Sequence, residues 1–138
     1  MIYALDTSVL VRILSNAPLP LAADVIMDIW HRRKNGDEFI VSNLVLSEAY
    51  YAMQQHYGVD KKTVLNALRI LSEQPGFLFS QEAKSALALE NIDRASPGFV
   101  DRLIHGEQHS KGLKVLSGEK SFRKLPDTEI LPTMIRRG

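Results

Sequence analysis

Three features of the 138-residue sequence predict an α/β fold: three layers, α/β/α, around a central, mostly parallel sheet of about five short strands. Short apolar runs of strand type alternate with longer segments of helical periodicity. Hydroxyl, acidic, proline or glycine residues punctuate nearly every junction between them. The length suits one domain, residues 1–138, built on a single core. Strands joined by right-handed helical crossovers leave all their carboxyl ends on one edge of the sheet.

Ile2 to Leu5 is the first apolar run and reads as a buried strand ending at Asp6. Thr7 and Ser8 follow, and Val9, Leu10, Val11, Ile13 and Leu14 resume as a helix. Pro18 and Pro20 then break the chain. Leu21, Val25 and Ile29, with Ala22, Ile26 and Trp30, recur at helical spacing. That helix closes in His31-Arg32-Arg33-Lys34-Asn35-Gly36, where cations complement the helix dipole and Asn-Gly acts as a stop. The dipole accounts for the basic run without RNA, although an RNA contact is compatible with it. Glu38 to Val41 is the second strand, and Ser42 caps a helix that carries Leu44, Val45, Ala49, Tyr50, Ala52 and Met53 and ends at Gly58.

Asp60 caps a helix with Val64, Leu65, Leu68 and Leu71 on its inner face, closed by Pro75-Gly76. Phe77-Leu78-Phe79 is a very short third strand; Ser80 opens a helix ending near Asn91. Ser96-Pro97 has the composition of a helix start, and Phe99, Val100, Leu103 and Ile104 supply that helix with an apolar face until Lys111-Gly112. Leu113 to Leu116 is the fourth strand, running into Ser117-Gly118-Glu119, and Glu129-Ile130-Leu131 is the fifth. The tail Arg136-Arg137-Gly138 reads as basic and mobile.

Composition narrows the chemistry. A formal net charge of +1 gives no strong overall field, so nucleic acid would have to be met by a local basic patch. The absence of cysteine excludes disulfides, thiolate metal sites and a cysteine nucleophile, and suits a cytoplasmic protein. Neither a signal peptide nor a run of membrane-spanning length is expected. There is no Walker-type phosphate loop and no G-x-S-x-G elbow. His105 and His109, four apart without the H-E-x-x-H pattern, read as a solvated helix face rather than a zinc site.

Asp6 and Glu119 fall on the edge where the strands' carboxyl ends gather, and Glu48 and Asp101 sit near the starts of helices that pass close to it, so four acids far apart in sequence can converge. Each has a plain structural account as well. Asp6 has the composition of a helix cap, and Asp101 could serve a helix dipole. Glu48 lies one turn from Leu44 and from Ala52, inside the apolar stripe, where a carboxylate needs a partner or a cation. Hard oxygen donors without Cys or His select Mg²⁺ or Mn²⁺. Carboxylates sharing one small site repel unless a divalent cation joins them. Such a cation suits phosphodiester hydrolysis, because it polarises the phosphoryl oxygen and activates a bound water. Thr7 and Ser8 are candidates to hold an acid, a water or a phosphate oxygen; Arg12, Lys120 and Arg123 are candidates to grip phosphate. An aspartyl-phosphate enzyme of the haloacid-dehalogenase type would carry a second Asp at position 8, which is Ser.

The motifs resemble those of PIN-domain ribonucleases, most closely the VapC-type toxins of bacterial toxin–antitoxin pairs. Leu5-Asp6-Thr7-Ser8-Val9-Leu10-Val11-Arg12 is similar to the family's opening D-T-[SN]-V-L-[VI]-R. Leu46-Ser47-Glu48 resembles its second motif, Phe99-Val100-Asp101-Arg102-Leu103-Ile104 its third, and Val115 to Phe122 its fourth, in the right order over nearly the whole chain. Two departures stand out: Gly98 replaces an additional acid of many relatives, and Gly118-Glu119 replaces the usual aromatic and aspartate. The resemblance implies a Mg²⁺- or Mn²⁺-dependent endoribonuclease, with Asp6 and Asp101 ligating metal and Glu48 and Glu119 completing the site. It also implies an RNA substrate, a homodimer and a small antitoxin partner. A catalytically impaired PIN fold that binds RNA or protein is the alternative that the two departures motivate.

Overall fold

The computed structural model describes residues 1–15 and 19–132; Pro18 and the basic tail 136–138 lie outside the described residues. The first strand, β1 (Ile2–Ala4), runs parallel to β2 (Glu38–Ile40), with Tyr3 opposite Phe39, and β2 runs parallel to β3 (Phe77–Leu78), with Phe39 opposite Phe77. The rings along this register form a ladder: Tyr3 to Phe39 at 6.1 Å between centroids and Phe39 to Phe77 at 5.5 Å. Helices α1 (Thr7–Leu14) and α2 (Ala22–Lys34) connect β1 to β2, and α3 (Asn43–Gln55) and α4 (Lys61–Ser72) connect β2 to β3. There follow α5 (Gln81–Leu87), a 3-10 turn at Ile92–Arg94, α6 (Phe99–His109), β4 (Val115–Ser117), a second 3-10 turn at Lys120–Lys124 and β5 (Thr128–Ile130). The expected α/β fold with parallel strands is what forms.

Capping chemistry sets most helix starts. Asp6, Ser42, Asp60 and Ser80 each accept a bond from the backbone N–H three residues on, at Val9, Val45, Thr63 and Ala83. Ser96 does not cap a helix: the Ser96–Pro97 peptide is cis, Pro97 is buried, and α6 begins at Phe99 behind Gly98. The helix opened by Ser80 stops at Leu87, short of Asn91. The core lies between one face of the sheet and the helices. It joins Phe39, Val41 and Phe77 to Leu10 of α1, Leu46 and Met53 of α3, Val64 and Leu68 of α4, and Phe99 and Leu103 of α6. Burying each Leu or Phe stabilises the fold by roughly 1.5–3 kcal/mol.

The five strands do not form one sheet. Among the described residues they hydrogen-bond as β1-β2-β3 and, separately, as the parallel pair β4-β5, with Val115 opposite Thr128. β1 is therefore an edge strand, not the buried strand its composition predicts. Its inward residues Tyr3 and Leu5 are half-buried and buried, but Ile2 is 57% exposed and Ala4 is open. Ile40 on β2 is 42% exposed on the same outward alternation, and Leu116 on β4 is 62% exposed.

His105, buried, meets the Pro126 carbonyl through Nε2 at 2.6 Å, and His109 Nε2 meets Asp127 Oδ2 at 2.9 Å. The two rings stack at 5.3 Å. His105 is thus buried rather than solvent-facing, while His109 stays partly exposed; together they join α6 to the Pro126–Asp127 turn ahead of β5. No helix of the described residues is long and apolar enough to cross a membrane.

Candidate active site

At the carboxyl end of β1 the Leu5 N–H still bonds Ile40 O at 2.9 Å, and the chain then turns at Asp6 into α1. Asp6 is a helix cap, as one reading of its composition holds, and its side chain stays exposed. Its Oδ1 accepts from Ser8 Oγ at 2.7 Å and from the Val9 N–H at 3.1 Å. Those two bonds, the Ser8 hydroxyl foremost, hold the Asp6 carboxyl below the usual aspartate range, with a small contribution from the Arg12 charge. The group is thus prepared to stay anionic, which is the state a metal ligand or a phosphate-facing acid needs.

Thr7 carries the link to the second acid. Its Oγ1 donates to Glu48 Oε2 at 3.0 Å, across forty-one residues of sequence. Glu48 stands at the rim of α3, whose buried face is Leu46, Ala49, Tyr50 and Met53. It is exposed rather than inside the apolar stripe, so the stripe is narrower than the spacing suggests and no burial penalty falls on the carboxylate. Asp6, Thr7, Ser8 and Glu48 thus form one polar cluster where β1, α1 and α3 meet.

Asp101 occupies the first turn of α6, half-buried. Tyr50 on α3 packs edge-on against Phe99 at 5.3 Å, which sets the start of α6 against the helix that carries Glu48. Arg102 fixes the same turn by donating Nε to Pro97 O at 2.8 Å. Glu119 follows β4; its backbone N–H donates to Ser117 Oγ at 3.0 Å and its side chain is exposed. Among the described residues, neither Asp101 nor Glu119 is hydrogen-bonded to Asp6, Thr7, Ser8 or Glu48. Among the described residues no three His, Cys, Asp or Glu stand close enough together to share a metal ion. Among the described residues the printed link between the candidate acids' surroundings is the Thr7–Glu48 bond, one residue after Asp6.

The cations divide by role. Arg12 spends Nε on Pro20 O at 2.9 Å and Nη1 on Ser8 O at 2.8 Å, so it braces the loop after α1. Lys120 and Arg123 are exposed beside Glu119. In the basic end of α2, Arg32 bonds Asp28 and lies over Tyr3, and Arg33 lies over Trp30 at 4.7 Å. These contacts give two of its cations local partners within the fold.

A second polar network was not visible in sequence. At the ends of β2 and β3, Ser80 Oγ donates to Asn43 Oδ1 at 2.8 Å, and Asn43 Nδ2 donates to Glu82 at 3.0 Å. A groove of about 420 Å³ opens there, bordered by Ile40, Leu78, Glu82 and Glu107. Its only sequence signal is the repeated placement of a capping serine after a strand, at Ser42 and Ser80.

A family model described as the PIN domain matches residues 3–127. No curated protein and no solved structure matches the chain.

Proposed function

The chain belongs to the PIN-domain family, whose members are generally nucleases that use a divalent metal, and from that premise we propose that it is a Mg²⁺- or Mn²⁺-dependent endoribonuclease. The observation that carries this reading is the Thr7–Glu48 hydrogen bond, which fixes a second carboxylate beside Asp6 at the carboxyl end of β1. Ligands of open α/β sheets sit outside that edge. The donor set fits the ion: carboxylates and hydroxyls, exposed or half-buried and with no thiolate or imidazole among them, suit a hard cation.

Asp6 and Asp101 would hold the metal, and Glu48 and Glu119 would complete its surroundings and orient water. The metal would supply Lewis-acid polarisation of a phosphoryl oxygen and a more acidic bound water. The residues of the chain do the rest. Ser8 and the Val9 amide keep Asp6 ionised; Thr7 holds the Glu48 rotamer; Arg12 ties Ser8 to Pro20 and adds a cation beside Asp6. Lys120 and Arg123 offer cations to the backbone of RNA.

The finer reading is the toxin of a type II pair, acting as a cytoplasmic homodimer held in check by a small antitoxin. The order of the four motifs supports it. So does α2, which buries no residue and leaves Met27 and Trp30 more than half exposed, an apolar face open to a protein partner. The rival reading, an impaired PIN fold that only binds RNA or protein, draws on Gly98, Glu119 and the finding that among the described residues no three His, Cys, Asp or Glu stand close enough to share a metal ion.

Cleavage of a mixed single-stranded RNA by Asp6→Asn separates the two. The nuclease reading expects the variant to lose at least about two orders of magnitude in Mg²⁺, the scale on which electrostatic groups of an active site act. Equal rates in wild type and variant would place the chemistry elsewhere. RNA retained by the wild type but never cut would favour the binding module.

A further inference from the structure

We propose that Asn43 and Glu82 are positioning residues of the site: their hydrogen bond, anchored by Ser80, sets the helix that carries Glu48 against the helix that carries Asp101. What the two acids do rests on the nuclease reading; the bracket itself stands on contacts between α3, α5 and α6.

The bracket begins with one amide used at both ends. Asn43 Oδ1 accepts from Ser80 Oγ at 2.8 Å, and Asn43 Nδ2 donates to Glu82 Oε2 at 3.0 Å. Ser80 Oγ also accepts the Ala83 N–H at 3.1 Å, so the hydroxyl that caps α5 is the one that holds Asn43. All three side chains are half-buried, where a lost partner is costly and a satisfied network is rigid. Asn43 is the first residue of α3, and its main-chain carbonyl accepts from Ser47 Oγ at 2.9 Å, next to Glu48.

Glu82 spans the rest of the distance. Its carboxylate meets α3 and its stem lies on α6, where a side chain at Gly106 would collide with Glu82 Cβ and Cγ. Glu82 is therefore a spacer between two helices, and one of its oxygens is already taken by the Asn43 amide. The acids stand in matching places on those helices. Glu48 follows Asn43 by five residues on α3, and Asp101 precedes Gly106 by five on α6, each about 7.5 Å of helix rise from the bracket. Nearer the acids, α3 and α6 touch through the Tyr50 and Phe99 rings. Apolar burial is non-directional and lets such a pair slide, whereas a hydrogen bond fixes distance and angle. The bracket thus supplies the register that the rings do not.

The test reverses the bond. Asn43→Asp keeps the acceptor for Ser80 but faces Glu82 with a second carboxylate. Adding Glu82→Gln restores a donor, now pointing from position 82 to position 43. Calorimetric titration with Mn²⁺ is expected to give a Kd about tenfold weaker in Asn43→Asp, the scale on which outer contacts of a metal site act, and a return to near wild type in the double variant. The chain has no cysteine, so Gln55→Cys on α3 and Ile104→Cys on α6, both exposed, are the only sites a thiol-directed spin label takes. Diluted into unlabelled protein, that pair should give a narrow distance distribution that Asn43→Asp displaces or broadens and the double variant narrows again.

A folded Asn43→Asp with the wild-type distance and Kd overturns the proposal, as does a double variant no better than the single one. Should Asn43→Asp not fold, Glu82→Ala carries the same test, since alanine favours α5 while removing both carboxylate and stem. An unchanged distance in that variant overturns the proposal equally. A wild type that takes up no Mn²⁺ and cuts no RNA, with distances that respond as expected, sinks the nuclease reading and leaves the bracket standing.

Discussion

Asp6 carries two duties on one carboxylate. Its cap to Val9 holds the first turn of α1, and a cap of this kind is worth about 0.5–2 kcal/mol. Asn caps a helix as well as Asp does, so Asp6→Asn removes the charge and spares the fold, whereas Asp6→Ala should lose both. Ser8 is the larger cause of the lowered Asp6 pKa. Ser8→Ala should therefore move the Asp6 titration upward, toward the ordinary carboxylate range, when followed by carbon-detected NMR on metal-free protein. An unmoved titration would show that the hydroxyl does not act on the carboxylate. With its pKa depressed, Asp6 favours the fold most above the unfolded value, and that contribution fades as pH falls through the folded one. At this scale the caps were legible because capping is local: the residue and its N–H partner lie three apart. The Thr7–Glu48 bond was not, because nothing in the forty intervening residues announces which hydroxyl a distant acid will meet. Glu48 itself was placed inside an apolar stripe, where periodicity alone cannot say how wide a stripe its neighbours will cover.

Helix α6 shows the same limit between elements. His105 and His109 lie four apart, a spacing shared by solvated faces and by buried straps, and the chain that buries His105 arrives only at Pro126. His105→Ala should leave that carbonyl without its partner and cost about 1–3 kcal/mol in urea denaturation. A loss below half that range would show the strap to be ornamental. Gly106 faces the stem of Glu82, close to the α5 backbone rather than at a flexible tip. Alanine there gains roughly 1 kcal/mol of helix propensity but overpacks the α5–α6 contact, which typically costs about 1–3 kcal/mol. Gly106→Ala should thus lower the urea midpoint; a raised midpoint would mean that the helices part without penalty. The start of α6 was misplaced by two residues because Ser-Pro is a helix start only where the proline lies inside the first turn, and here Pro97 is taken into the core ahead of it.

Across the whole molecule, the number and order of strands and helices followed from periodicity and punctuation, because one core between helices and a sheet face imposes both. How the strands divide between sheets did not follow. Each strand here is only two or three residues long, too short for its alternation to say which side is covered. Glu48 meets Thr7 through a contact between α1 and α3 rather than through the sheet. The account's central claim is that the candidate carboxylates gather a divalent cation that the folded protein alone can bind. Melting the protein with and without Mn²⁺ measures that claim directly, because a ligand of the native state at a hundred times its Kd stabilises by about 2.7 kcal/mol. The account predicts a saturable rise in Tm for the wild type that Asp6→Asn largely abolishes; an unchanged wild-type Tm, or an equal rise in both proteins, would contradict it.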